Sequence, residues 1–374
     1  MKKTLAAVAV LGAFAGSAFA ANVTMFGIID TGLGYTSTDN GKTTSHLFDI
    51  RTGQNSAARF GLKGEEELGN GVKVGFNLEN GFKSDDGSLA TAGRLFDREA
   101  LVYVNGTFGE LGMGRQGEMA SGNGRYGVFG GKVSPFSTGW SDIGGHKYVM
   151  GAGFGRLDNA VTYKTPTFAG VNVLAQYSFK NSNLTDKAAE VKGREGSSEV
   201  DRQYAVGVTY TAGDLYLAGV VTQKNVASYG ANKNAEYDED PLTVSLGGNY
   251  DFGVAKVFVA TQYFKDSTLA TGAIQGTTEQ GKYFDGFGLT LGADVPAFGG
   301  TAKALVGYMD ADDQVGEKDM QRYVVSVGYE YPLSKRTMVY GGAGFFQDCY
   351  DVKATGYNDH ASKTAVNMGL VHKF

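Results

Sequence analysis

Apolar and polar residues alternate along most of the chain after about residue 20. In one segment, the apolar parity consists of Val171, Val173, Ala175, Tyr177 and Phe179. The same period of two recurs in residues 72–79, 204–210, 242–252 and 323–331. A period of two is typical of a β-strand with one apolar face and one polar face. The segments are about 9–12 residues long, which is the length of a tilted strand that crosses a bilayer.

Short and long connections alternate between these segments. The short connections are residues 68–72, 107–111, 167–171, 211–215, 251–255, 297–301 and 332–337. Six of these seven contain glycine, which suits tight hairpins. The long polar ones lie near residues 37–55, 84–94, 117–154, 181–201, 226–240, 266–285, 310–320 and 349–362. Seven hairpins use fourteen strands, and one further strand at each end makes sixteen. Short turns on one side and long loops on the other indicate a transmembrane barrel, and about sixteen strands leave an aqueous channel.

A β-sandwich or a propeller would also show alternating strands. Aromatic residues here often lie at strand ends, as Tyr204 and Tyr210 do, and transmembrane barrels place aromatic girdles at both water–lipid boundaries. The polar parity is rich in Gly, Asn, Thr and Lys. A water-filled interior accepts such residues, whereas a packed core would require a partner for each one. The sequence therefore predicts an all-β, sixteen-stranded antiparallel transmembrane β-barrel without a second domain.

The first twenty residues have a different pattern. Lys2 and Lys3 precede an apolar stretch, and Ala18-Phe19-Ala20 follows it, which is the arrangement of a cleaved secretory signal. We therefore predict a signal peptide over residues 1–20 and a single barrel over residues 21–374. One cysteine among 374 residues excludes an internal disulfide framework. The net charge of −5 is unsuited to nucleic-acid binding.

Four stretches together resemble Gram-negative general diffusion porins. They are SAARFGLKGEEELGNGVKVGFNLENGF (56–82), LGMGRQ (111–116), RLDNAVTYKTPTFAGV (156–171) and the terminal GLVHKF (369–374). The resemblance implies a homotrimer in the cell outer membrane, surrounded by membrane lipid and lipopolysaccharide. It also implies that a long third loop, residues 117–154, folds into the lumen as a constriction. Passive diffusion of small hydrophilic solutes is the function that it implies, without a cofactor.

Parity assigns basic side chains to the inner wall. Because Phe60 and Leu62 face lipid, Arg59 and Lys63 face inward. The same rule places Lys73 and Arg156 inward. The resemblance implies a ladder of arginines opposite the third loop, and the matching positions are Arg59, Arg98 and Arg156. The strand of Arg98 is apolar on both parities, so its direction stays open. Such cations either bias the channel towards anions or only solvate a wet wall.

The long loop has few acids. Its candidate constriction residues are Glu118, Arg125, Lys132, Ser134, Pro135, Phe136 and Asp142. Only two of these are acidic, and no acid lies between Pro135 and Phe136, where many members of the family carry one. We therefore predict weak or slightly anion-leaning selectivity. Trp140 either packs this loop against the wall or lies at the surface.

Other chemistry has little support in the sequence. Two G-x-G-x-x-G stretches, 112–117 and 122–127, precede no amphipathic helix, so they do not indicate a dinucleotide site. The acidic cluster 310–313 is read as a solvated loop tip, and the four histidines lack metal-ligand spacing. We predict no metal or catalytic site. The alternatives are a surface adhesin or receptor that uses the long loops and, less favoured, a barrel enzyme, which needs a nucleophile with an oriented base.

The chain ends within an alternating strand. Leu370, His372 and Phe374 fall on the lipid-facing parity, whereas Asn367 and Lys373 face the lumen. A barrel has no free edge in the membrane, so the last strand pairs on both sides. The resemblance further implies that the barrel-assembly machinery recognises the terminal Phe374 together with His372 and Leu370.

Overall fold

The computed structural model describes residues 23–183, 194–226, 239–272, 274, 283–314, 318–352 and 357–374, so the predicted signal peptide lies outside the described residues. One antiparallel sheet contains seventeen strand segments. In chain order they are β1 Thr24–Asp39, β2 Thr44–Thr52, β3 Arg59–Gly69, β4 Val72–Gly81, β5 Glu99–Gly106, β6 Gly109–Gly117, β7 Arg156–Lys164, β8 Val171–Ser178, β9 Arg202–Ala212, β10 Leu215–Asn225, β11 Leu242–Asp251, β12 Lys256–Ser267, β13 Phe284–Ala297, β14 Gly300–Asp313, β15 Lys318–Pro332, β16 Thr337–Val352 and β17 Tyr357–Lys373.

The sheet closes into a barrel of sixteen strands. On one edge, β1 pairs with β17 from Ile28–Lys373 to Asp39–Ser362. On its other edge, β1 pairs with β2 through Thr31–Asp39 and with β3 through Thr24–Ile28. β2 and β3 are therefore two parts of one barrel strand, interrupted at residues 53–58. The predicted strand count and all seven predicted short turns are confirmed.

A buried carboxylate stabilises the interruption between β2 and β3. Asp30 accepts hydrogen bonds from the backbone N–H groups of Asn55 (2.8 Å) and Ser56 (2.7 Å). The hydroxyl of Tyr340, on β16, donates a third bond of 2.7 Å. Backbone groups that leave the ladder at this break thus find a partner inside the barrel, as buried polar groups require.

The two faces of the wall differ as the alternation predicts. On β15, Tyr323, Val325 and Val327 are 45–53% exposed on the outer face. The residues between them, Val324 and Ser326, are 1% exposed and face inward. Apolar side chains on the outside and mixed side chains on the inside are the arrangement of a barrel in lipid. No helix within the described ranges is long and apolar enough to cross a membrane.

Three stretches predicted as long loops are mostly strand. Residues 37–55, 310–320 and 349–362 contain the whole of β2 and the ends of five other strand segments, and the acidic cluster 310–313 lies within β14. β13 to β17 are 14–17 residues long rather than 9–12. Beyond the hydrocarbon core both faces of a strand meet water, so alternation ends while the backbone ladder continues. The apolar period therefore marks only the membrane-crossing part of each strand.

Candidate functional site

The connection between β6 and β7, which we call the long loop (residues 118–155), packs on the inner face of the barrel. It contains two short 3₁₀ turns, Gly130–Lys132 and His146–Val149. Three inward-facing wall side chains donate to its backbone carbonyls: Asn249 to Lys132 (2.7 Å), Ser326 to Ile143 (2.6 Å) and Asn367 to Ser141 (3.1 Å). These donors lie on β11, β15 and β17, so the loop contacts the wall across the lumen from its own roots.

Inward-facing glycines make room for the side chains of the long loop. A Cβ on Gly328 would lie 2.9 Å from the ring of Trp140, and one on Gly342 would lie 3.2 Å from it. Trp140 is 2% exposed and meets Phe136 and Tyr340 edge to face, with ring centroids 5.1 and 5.4 Å apart. Trp140 therefore packs the loop against the wall and is not a surface residue.

The same arrangement recurs along the contact. Three further wall glycines each face one loop side chain, at the distance a Cβ would have: Gly112 and Tyr126 (2.1 Å), Gly207 and Met119 (2.4 Å), Gly292 and Pro135 (2.7 Å). Real Cβ atoms essentially never lie so close to another heavy atom, because these distances are shorter than van der Waals contact in a close-packed interior. These inward-facing glycines are therefore the positions at which side chains of the long loop pack against the wall.

The interior of the long loop is built around a neutral histidine. His146 is fully buried, with its Nδ1 atom 2.8 Å from the carbonyl oxygen of Ser137. Phe129 and Phe154 lie against its ring, with centroids 6.1 and 5.2 Å away. Burial lowers the pKa of His146 to about 4, because an apolar surrounding disfavours the charged form. The loop therefore has a small core of its own.

Arg59, Arg98 and Arg156 lie together on the inner wall; we call them the basic row. The Nε atom of Arg98 forms an ion pair of 2.5 Å with Oε1 of Glu79, and Nη1 of Arg59 is 3.9 Å from the same oxygen. Arg156 donates through Nε to the carbonyl of Arg98 (2.7 Å) and through Nη2 to Asn123 of the long loop (3.3 Å). The direction of Arg98, which alternation left open, is thus inward.

The two predicted wall lysines lie nearer the rim formed by the short turns. Lys73 pairs with Glu65 at 2.9 Å, and both side chains are largely exposed. The Nζ atom of Lys63 lies 5.3 Å from the centroid of the Phe26 ring. Neither lysine joins the basic row, so the structure separates the five predicted cations into two groups.

The predicted loop residues are also dispersed. Arg125 forms a bidentate pair with Glu110 (2.6 and 2.7 Å) and lies 3.6 Å over the ring of Tyr103. Lys132 lies 5.3 Å from the ring centroid of Tyr216. Ser134 is buried and its hydroxyl accepts the N–H of Phe136 at 3.3 Å. These residues attach the loop to the wall rather than forming one charged cluster.

The two loop acids have different surroundings. Glu118, at the loop root, donates its N–H to Gly155 (3.1 Å), and burial raises the pKa of its carboxyl to about 7. Asp142 lies between two wall cations, with Arg51 at 2.9 Å on one side and Lys363 on the other. The acid in the middle of the loop is therefore neutralised by direct partners.

Several charged residues of the inner wall escaped the sequence reading. Arg51 lies in a stretch predicted as a long loop, where parity assigns no facing. Lys363 lies just after the predicted loop 349–362 and shares the inward parity of Asn367 and Lys373. Arg94 and Arg115 both bind the carboxylate of Asp158, at 2.6 and 2.5 Å. Arg94 also lay in a predicted loop, and Arg115 lies beside a break in the register of β6 and β7. Alternation therefore could not have assigned Arg51, Arg94 or Arg115, but extending it by one residue before the last predicted strand would have assigned Lys363 to the lumen.

The comparisons with known proteins identify the family. A family profile described as Gram-negative porin matches residues 6–348. The chain belongs to the Gram-negative porin family. It is 32% identical to an outer membrane porin protein of Bordetella pertussis and 30% identical to outer membrane porin protein 32 of Delftia acidovorans, each over the full length of both chains. The solved anion-selective porin from Comamonas acidovorans superposes with a TM-score of 0.68 at 27% identity, over 95% of this chain and all of that one.

Family and barrel together define what the protein does. It is an outer-membrane porin, and its barrel is a channel for the passive diffusion of small hydrophilic solutes. Among the described residues, no group of three or more His, Cys, Asp or Glu side chains could bind a metal ion. The basic row and the long loop are the parts of this porin on which a proposal about selectivity can rest.

Proposed function

We propose that this porin conducts anions slightly better than cations, and that the basic row sets this preference. The observation that carries the proposal is that three arginines share one acid, Glu79, on the inner wall. An excess of positive charge along a pore raises the local concentration of anions. The likeness to a porin described as anion-selective supports the sign.

The acids of the long loop offset the basic row only weakly. Asp142 is engaged by Arg51 and Lys363. Glu118 has a pKa of about 7, so it carries only part of its charge at neutral pH. The field across the lumen therefore has a strong positive side and a thin negative side. The preference stays small because salt screens charges over about 8 Å at physiological ionic strength.

The proposal extends to the long loop and the wall lysines. We assign residues 117–154 the role of the constriction, because their contacts run along the wall from one strand to a distant one. Met119 faces Gly207 on β9, and Ser141 accepts a hydrogen bond from Asn367 on β17. Lys63 and Lys73, nearer the short-turn rim, would add positive potential at that mouth. Glu65 lies beside Lys73 and halves this contribution.

Assembly is a further part of the proposal. We propose a homotrimer embedded in outer-membrane lipid and lipopolysaccharide, exported by a signal peptide over residues 1–20. The terminal Phe374, with His372 and Leu370, is proposed as the signal read by the barrel-assembly machinery. In support, Phe374 is 43% exposed on the lipid face. Its backbone pairs with Gly27 through bonds of 3.0 and 3.1 Å, which close the barrel.

Planar-bilayer recording in a potassium chloride gradient tests the selectivity. We expect a reversal potential of the sign for anions and of modest size. Arg59→Gln and Arg156→Gln each remove one charge of the basic row and should move the reversal potential towards zero. Lys224→Gln is the matched control, since Lys224 lies on β10, outside the basic row, and pairs with Asp201. A strongly cation-selective channel, or equal shifts in all three variants, would contradict the proposal.

A further inference from the structure

The connection between β12 and β13 folds inward and pairs with the long loop. Leu269 forms an antiparallel bridge with Gly151. The N–H of Ala270 donates to the carbonyl of Met150 at 3.0 Å. A β-bulge near the end of β12 precedes this inward turn, and bulges are a common means of bending a strand out of its ladder. A second connection thus joins the long loop on the inner side of the wall.

A buried ion pair fixes this connection to the wall. Arg322 on β15 and Asp348 on β16 are 3% and 0% exposed, and they form a bidentate pair of 2.6 and 2.8 Å. The remaining guanidinium N–H groups donate to the carbonyls of Tyr148 (3.1 Å) and Gly272 (2.6 Å) and to the hydroxyl of Thr271 (2.7 Å). All five donors of Arg322 are therefore engaged. This arginine supports its surroundings and keeps no donor for a ligand.

The long loop, the β12–β13 connection and the wall border a cavity of about 400 Å³. Its wall side is a row across three neighbouring strands. Thr38 on β1 pairs with Lys363 on β17, and Lys363 pairs with Phe346 on β16. The long loop contributes Lys147 and Tyr148 to the opposite side. A volume of this size is typical of sites for small organic molecules.

Lys147 differs from the other cations of this cavity in having no hydrogen-bond or ion-pair partner among the described residues. Its Nζ atom lies 5.4 Å from the ring centroid of Tyr148. Burial lowers the pKa of Lys147, because a partly desolvated ammonium group loses favourable hydration. Arg322 is saturated, and Lys363 pairs with Asp142. A ligand with one negative charge would therefore complete the cavity.

The apolar part of the cavity suits a ring. Tyr148 and Phe346 lie with their ring centroids 4.8 Å apart and their planes inclined by 39°. The side chain of Ile274 also lines the cavity. Aromatic ligands gain from tilted or edge contacts with such rings beyond the burial of their area. Apolar walls with one free cation thus match a ring that carries a single carboxylate.

We propose that this cavity is a binding site for aromatic monocarboxylates that enter the channel. The carboxylate pairs with the ammonium group of Lys147, and the ring packs against Tyr148 and Phe346. Asp142 lines the same cavity and disfavours a second negative charge, so dicarboxylates and phosphate bind less well. The site is formed by β15 to β17 and β1, whereas the basic row lies between β3 and β7. It does not depend on the sign of the ion preference.

Block of the ion current by added benzoate tests the site. In planar bilayers at neutral pH and low potassium chloride, benzoate should reduce the current in a saturable manner. Acetate, which lacks the ring, and benzylammonium, which has the opposite charge, should block only at much higher concentrations. Lys147→Gln should raise the half-blocking concentration of benzoate about tenfold, as expected for the loss of a charge-assisted hydrogen bond. Lys147→Arg retains the charge and should preserve most of the block.

Lys132→Gln is the matched control, because Lys132 belongs to the same loop but lies against Tyr216, outside the cavity. It should leave the half-blocking concentration of benzoate unchanged. Equal shifts in Lys147→Gln and Lys132→Gln would overturn the proposal, since they would indicate a general field of the loop rather than a site.

Saturation-transfer NMR of benzoate with the detergent-solubilised porin measures binding without conduction. The ring protons should receive saturation from the unaltered porin and from Lys132→Gln, and much less from Lys147→Gln. Gel migration of the unheated barrel verifies folding in each variant. Equal transfer in all three folded proteins would contradict the site. A cation-leaning reversal potential together with saturable benzoate binding would contradict the proposed anion preference and support this site.

Discussion

Glu79 and Arg98 form an ion pair of 2.5 Å at the centre of the basic row. Arg59 lies 3.9 Å from the same carboxylate oxygen, and Arg156 is near enough to interact with it electrostatically. The carboxylate of Glu79 thus acts on all three guanidinium groups of the row, and Asp97 acts in addition on Arg156. Selectivity therefore depends on this wall acid at least as much as on the acids of the long loop, which the sequence reading emphasised.

Replacing Glu79 should strengthen anion preference. Glu79→Gln keeps the shape and the hydrogen-bonding oxygen but removes the carboxylate that contacts Arg98, so the local potential becomes more positive. We expect the reversal potential in a salt gradient to move further towards the chloride equilibrium potential. Glu65→Gln, nearer the rim, removes an equal charge and should have a smaller effect. An unchanged reversal potential in Glu79→Gln would show that the row does not face the ion path.

A side chain at Gly328 should dislodge the long loop. Gly328→Leu places carbon atoms where the rings of Phe136 and Trp140 now lie, each 2.9 Å from an ideal Cβ. Overpacking of this kind costs about 1–3 kcal/mol, and here it destabilises the packing of the long loop against the wall. Because Trp140 is the chain's single tryptophan, its emission should shift to the red, and open-channel noise should rise. Gly131→Leu is the control, since a Cβ there meets no atom within 4 Å.

Acid should loosen the long loop through His146. Its pKa falls from 6.5 to about 4 on burial, so below pH 6.5 the unfolded loop binds more protons than the folded loop does. Packing stability is complete above pH 6.5 and declines as the pH falls towards 4, by about 3 kcal/mol in total. Trp140 emission against pH measures this transition. His146→Phe cannot titrate and fits between aromatic neighbours, so it should flatten the curve between pH 6.5 and 4. A curve identical to that of the unaltered porin would show that a group other than His146 causes the transition.

Local pattern predicted the barrel because each hairpin is a local unit. Alternation assigned faces on strands such as β8 and β15, and turns such as 68–72 carry their own backbone signals. Features that depend on contacts between residues remote in the sequence could not be predicted from local pattern. The break at residues 53–58 depends on Tyr340, which is remote in sequence, and the seat of Trp140 depends on Gly328 and Gly342. The pairing of Asp142 with Arg51 and Lys363 likewise joins three separate parts of the chain. Arg51 lies in a strand extension beyond the membrane that lacks alternation, so parity did not assign its direction.

Removing the terminal aromatic ring should impair assembly more than conduction. In Phe374→Ala the backbone bonds to Gly27 remain available, but the ring that covers Gly27 at the seam, with atoms 2.2 Å from an ideal Cβ there, is lost. We expect less folded barrel in the outer membrane, measured as the fraction with the compact gel mobility of unheated protein. Barrels that do form should conduct normally in planar bilayers. Phe345→Ala removes an equally lipid-exposed ring from β16 and should assemble at nearly the usual yield. Equal losses in the two variants would mean that burial in lipid, rather than the terminal position of Phe374, determines assembly.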